Sequence, residues 1–189
     1  MKKMTCFVFL LLLMFALAVT SHADKPLQSC CTENVIFVMA DGLRWQEVFS
    51  GADDALLGSK GDDNSVNTVR LGYWRNTPEA RRELLMPFLW SVMVKQGQIF
   101  GNHTKGSIAQ VTNGHNFSYP GYSETFCGFA DPRVDSNNKV PNPSISVFEW
   151  LNGKHRFHGK IAAFGAWDLF PYILNRERSG LFINAGFEP

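Results

Sequence analysis

Two side chains carry the chemistry that this sequence offers most clearly, a carboxylate at Asp41 and a hydroxyl at Ser118. Asp41 ends a continuous apolar, β-branched run over residues 34–40, which predicts a strand buried on both faces. A carboxylate at the carboxyl end of such a strand lies where open α/β sheets bind their ligands, and its oxygens suit a hard or borderline cation. The plain alternative is an Asp-Gly turn. Ser118 opens a second pattern, with Pro120 suited to a first helical turn and Gly128 to the stop. A helix start offers unsatisfied N–H groups and the positive end of the dipole, which together hold an anion. A hydroxyl there is placed to attack phosphorus while those donors hold the phosphoryl oxygens. The plain alternative is a serine that caps its helix.

The remaining pattern predicts the elements that position these two groups. Residues 51–82 show no period and read as a surface excursion. From Met86 the apolar residues Leu89, Trp90, Met93 and Val94 fall on one helical face, with Gly97 as the stop. Residues 98–101 fit a short strand, and residues 101–116 a Gly- and Asn-rich loop. Ser146 and Glu149 have capping-box spacing before Phe148, Trp150 and Leu151. Residues 159–166 and 181–184 predict two more strands around a helix over residues 168–175, where Asp168 reads as a cap. Strands alternating with helices argue for a wound, mostly parallel α/β sheet with helices on both faces.

Composition is that of an ordinary globular chain: 189 residues, 45% hydrophobic, with net charge +1 and no basic run, so nothing marks a nucleic-acid partner. The N-terminus is a different kind of segment. Lys2 and Lys3 precede an apolar stretch over residues 7–19, and Ser21-His22-Ala23 gives the small residues of a cleavage site. The stretch is shorter than the ~20 residues of a bilayer span. The expectation is a signal peptide over residues 1–23, a domain over residues 24–189, and export to a periplasmic or secreted location. The mature chain would keep Cys30, Cys31 and Cys127, whose pairing the sequence leaves open.

Taken together, the two motifs, NVIFVMADGLR over residues 34–44 and SYPGYSETFCG over residues 118–128, resemble the alkaline phosphatase superfamily. The likeness is greatest to its nucleotide pyrophosphatase/phosphodiesterase-type members. That branch has an apolar strand ending in Asp-Gly, then a Thr or Ser nucleophile followed by an aromatic residue and proline in a helix that closes at glycine. The resemblance implies an alkaline-phosphatase-like core and a site with two divalent metal ions, zinc or manganese. Asp41 would bind one ion, and Ser118 would be both nucleophile and ligand of the same ion. It also implies an asparagine donor to the substrate oxygen in the loop after the nucleophile helix, where Asn137 and Asn138 lie and Asn138 is preferred. The substrate would be a small phosphate mono- or diester.

The departures from that pattern are specific. Gly121-Tyr122 stands where relatives carry Asn-His, and no Asp-His pair occurs in the chain. The histidines outside the leader, His103, His115, His155 and His158, fall in or near expected loops and read as solvated. The resemblance covers residues 34–186, the N-terminal half of such a domain, so the expectation is a partial chain that lacks most of its metal site and is inactive alone, with hydrolysis belonging to the full-length form. Other readings are a non-catalytic α/β binding module, or a sulfatase-like or phosphoglycerate-mutase-like member of the same superfamily. The arginine that follows the sulfatase motif is missing. A serine hydrolase of the α/β type fails because Gly-x-Ser-x-Gly does not surround Ser118. Glu124 receives no catalytic role.

Overall fold

A computed structural model describes residues 32–57 and 64–186, with the side chains of residues 64–67 outside that description. The expected leader, Cys30 and Cys31 lie outside the described residues. The chain divides into two compact units, Met1–Met39 and Ala40–Pro189. In the first unit, the described residues take no regular secondary structure, and Val35, Ile36 and Val38 are 85%, 86% and 84% exposed.

The second unit holds the regular elements: α1 Trp45–Ser50, α2 Asn64–Tyr73, α3 Pro78–Leu85, a π-turn Leu89–Met93 running into α4 Val94–Gln96, α5 Ser118–Cys127, α6 Val147–Asn152, β1 Ala162–Phe164, α7 Phe170–Ile173, α8 Arg176–Ser179 and β2 Phe182–Asn184. The expectation of a wound sheet with helices on both faces is therefore wrong. Among the described residues the sheet has two strands, β1 and β2, paired in parallel with Ala163 opposite Ile183. The physical reason is pairing. A strand exists through ladder hydrogen bonds to a neighbour, and residues 34–40, although apolar and β-branched, have no such ladder. One sheet face, through Ala163 and Ile183, packs on the core. On the other, Phe164 and Phe182 lie 5.8 Å apart between ring centroids and are exposed.

The stretch read as a surface excursion also proves different, because it contains α2 and α3. Thr77 caps α3 by accepting from the Ala80 N–H at 3.2 Å, and Pro78 occupies its first turn. Arginines of α3 reach α1 and the indoles beside it. Arg81 donates to Ser50 O and Arg82 to Phe49 O, while their guanidinium groups stack on Trp74 and Trp90. The approach is close enough that Gly51, at φ 73°, is required, because an added Cβ would lie 2.3 Å from the Arg81 carbonyl carbon. Residues 98–101 form no strand. His103 is half-buried, with its ring stacked on Trp45 at 4.4 Å between centroids.

The core centres on α5. Tyr119, Tyr122, Ser123 and Phe126 are buried at i, i+3, i+4 and i+7, which is one helical stripe. Tyr122 and Phe126 pack with Val134, Leu169, Ile173, Leu174, Leu181 and Ile183, and each such side chain contributes about 1.5–3 kcal/mol by leaving water. The Tyr119 hydroxyl donates toward Val140 O at 2.8 Å and Tyr172 O at 3.2 Å. Burial raises its pKa well above the ordinary tyrosine value.

Two further polar features hold this unit together. Arg178 gathers Asn142 O, Pro143 O and Ser144 O and pairs with Glu149. Asp131, 6% exposed, accepts from Arg133 N, Nε and Nη2 and from the Ser144 hydroxyl. The Arg133 guanidinium and the Ser144 hydroxyl hold its carboxyl well below the ordinary aspartate range. A depressed folded-state pKa gives stability that is complete above the unfolded value and fades as pH falls toward the folded one. Urea midpoints should therefore decline from about pH 5 downward, and Asp131→Asn should flatten that decline. An Asp131→Asn profile parallel to that of the parent would show that other carboxylates set the acid limit.

Candidate functional site

Asp41 occupies the turn that precedes α1, where Gly42 takes φ 74°. The turn reading of Asp-Gly is thus the observed local structure, and it leaves the carboxylate exposed. Ser118 is the first residue of α5. The N-cap is Phe117, which makes no side-chain cap bond, so the serine hydroxyl is not consumed in capping. It instead lies 3.4 Å from Asp41 Oδ1, a contact between residues 77 apart in sequence. That distance is at the long end of hydrogen-bond range. Asp41 is also close enough to the buried Tyr122 phenol to raise its pKa, although burial is the larger cause.

The anion-holding capacity of the helix start is smaller than its sequence implies. Tyr119 N–H donates to Asn137 Oδ1 at 2.9 Å. Pro120 has no N–H, and Gly121 N–H closes on Phe117 O at 3.4 Å. Of the two asparagines in the following loop, Asn137 is thus the one whose side chain reaches α5. Asn138 offers its backbone carbonyl to the Val140 N–H at 2.8 Å. Tyr122, at the departure from Asn-His, fills the core against Phe126, Trp167 and Phe170. The side chain at position 121 would instead meet open space.

Asp168 does not cap a helix. Leu169 takes that position in α7, and Asp168 pairs with Lys139 at 2.5 Å. The two line an open cavity of about 300 Å³ with Pro141, Pro171, Tyr172 and Arg176. Cys127 is a free, half-buried thiol whose pKa burial pushes up.

Sequence reasoning passed over Glu124. Its Oε1 accepts from Thr112 N at 2.6 Å and Thr112 Oγ1 at 2.8 Å, and its Oε2 from Asn113 N at 3.0 Å and Asn113 Nδ2 at 2.8 Å. Burial raises this carboxyl's pKa, and the Thr112 and Asn113 donors together outweigh it and hold the group below the ordinary glutamate range. Asn113 Oδ1 in turn accepts from His115 N at 2.8 Å. The available signal was the pairing of a loop rich in free donors with an acid on the helix it leads into.

Two hard oxygens 3.4 Å apart fit two positions in the shell of one divalent ion. No group of three or more His, Cys, Asp or Glu side chains that could hold a metal ion occurs among the described residues, so Asp41 and Ser118 stand there without the further ligands that would complete the shell of a first ion, and no ligand set for a second ion is described. Nor is any described helix long and apolar enough to cross a membrane. A scan against family models and searches of curated proteins and of solved structures returned no match.

Proposed function

We propose that the chain carries the nucleophile of a metal-dependent phosphate-ester hydrolase, with Ser118 as the attacking group and Asp41 as its partner. The observation that supports this most is the contact between the Ser118 hydroxyl and Asp41 Oδ1 at the start of α5. Both plain readings of the motifs are local, a cap and a turn. Neither calls for a hydroxyl and a carboxylate from distant parts of the chain to converge. The likeness to the alkaline phosphatase superfamily rests on the two motifs alone, because the architecture does not repeat a wound sheet.

In this reading Ser118 Oγ forms a bond to phosphorus as the bond from phosphorus to the ester oxygen breaks. The hydroxyl proton leaves toward Asp41 Oδ1, and water then cleaves the phosphoserine, releasing phosphate when the substrate is a monoester and a phosphate monoester when it is a diester. A divalent ion held by Asp41 and Ser118, zinc or manganese, would lower the hydroxyl pKa and face the developing charge. Substrates are small phosphate mono- or diesters, and Asn137 and Asn138 stand in the loop from which a substrate donor would come. We also propose export, on the strength of Lys2, Lys3, the apolar residues 7–19 and Ala23.

The test is to trap the intermediate. The full-length protein, supplied with zinc or manganese, is mixed with p-nitrophenyl phosphate, quenched in acid and digested. Mass spectrometry should find phosphate on Ser118, and a chelator should remove both label and turnover. Turnover indifferent to chelation, or labelling elsewhere, would remove this mechanism.

A further inference from the structure

The most fully satisfied polar contact near Ser118 belongs to a residue with no part in the chemistry above. Thr112 and Asn113 lie before Ser118 and Glu124 lies after it, and the hydrogen bonds between them close a ring of chain with Ser118 midway round it. Both carboxylate oxygens are used, and each receives one backbone and one side-chain donor. Hydrogen bonds to a charged acceptor are roughly twice as strong as neutral ones. The segment they tie down, residues 112–117, is otherwise held weakly: Phe117 is 50% exposed, and Gly114 takes φ 72°, a turn conformation. Glu124 itself sits on a helix whose buried face fixes it against the core.

We propose that Glu124 is a positioning residue for Ser118, the anchor that holds residues 112–117 so that the hydroxyl meets Asp41. The inference rests on Ser118 being the nucleophile, and it adds what sets that atom's place. A side chain held within a fraction of an ångström of productive geometry depends on the shell that supports it. With the ring open, α5 keeps its buried stripe, while its first turn and the chain entering it gain freedom.

The test is Glu124→Gln, which preserves shape but replaces one accepting oxygen by an N–H₂ group. That group would face donors on either Thr112 or Asn113; on the Thr112 side the hydroxyl can turn to accept from it, so at least one backbone contact is lost, and two are lost on the Asn113 side. Amide hydrogen exchange at Thr112 and Asn113 should accelerate about tenfold. With metal present, kcat on p-nitrophenyl phosphate should fall about tenfold while KM changes less than about twofold. Thr112→Val removes a single donor at constant shape and should move both readouts the same way by less, which keeps the idea testable if Glu124→Gln folds poorly. Unchanged exchange in Glu124→Gln would overturn the anchor. Faster exchange with unchanged kcat would overturn its positioning role. If the parent protein turns over no phosphate ester, the nucleophile reading fails, and the exchange comparison still decides whether Glu124 holds the loop.

Discussion

In the full-length enzyme, Ser118→Ala should lower kcat on p-nitrophenyl phosphate by at least about a thousandfold. The change removes the attacking atom and little else. Ser118 is half-buried, its hydroxyl makes no cap bond, and its recorded partner is Asp41. An exposed or half-exposed helix position accepts alanine without loss of stability, so thermal melting should be unchanged and the lost activity attributable to chemistry. Asp41→Asn removes the charge that receives the serine proton and should cost about a hundredfold or more. If the two residues act as a unit, the double variant should be no slower than Ser118→Ala alone, because groups in one catalytic step are strongly non-additive. Multiplying losses in the double variant would place the residues in separate roles. A Ser118→Ala protein that retains parental turnover would remove the serine from the mechanism.

The parts of this molecule that were legible in its sequence are those decided by neighbours along the chain. Ser118 to Gly128 follows a helical period with a glycine stop, and the structure gives α5 with Gly128 at φ 82° as its cap. Ser146 accepts from Glu149 N–H at 3.1 Å, as its spacing predicts. The two short runs around residues 162 and 182 do pair as strands. What could not be read was decided by partners distant in sequence. Residues 34–40 have the composition of a buried strand, but composition supplies no ladder. Helices α2 and α3 escaped notice because their contacts are arginine stems and indole faces, which no apolar period reports; Thr77 and Pro78 were the local signal. Near the candidate site, the types of Asp41 and Ser118 were legible, whereas the choice between Asn137 and Asn138 turns on which side chain a loop aims at Tyr119 N–H.

The second large effect concerns stability, and it centres on Asn142, which is 1% exposed. Its Nδ2 donates to Ser123 Oγ and Ile173 O, each at 3.0 Å, and its Oδ1 accepts from Ser144 N at 2.9 Å. One side chain thus joins α5, α7 and the loop that reaches Asp131. Asn142→Leu keeps the branched outline of the side chain and strands the Ser144 N–H and the Ile173 C=O. Each orphaned group costs about 1–3 kcal/mol, so the loss should be about 2–6 kcal/mol, a large share of the whole margin of a small domain at about 5–15 kcal/mol. The urea midpoint should fall accordingly, and a variant within about 0.5 kcal/mol of the parent would show that the network is slack. Asn142→Asp separates polarity from size. One introduced oxygen still accepts from Ser144 N, but the other faces Ile173 O and must carry a proton to bond with it. Burial raises the pKa of such a carboxyl above its unfolded value. The folded state then binds the extra proton, so this variant should gain stability as pH falls through the raised value and lose it as pH rises. That slope is opposite to the one Asp131 imposes. Opposite slopes from two acids in one polar network would establish that each hydrogen bond has a fixed donor and acceptor, which is what keeps α5, and Ser118 at its tip, in one place.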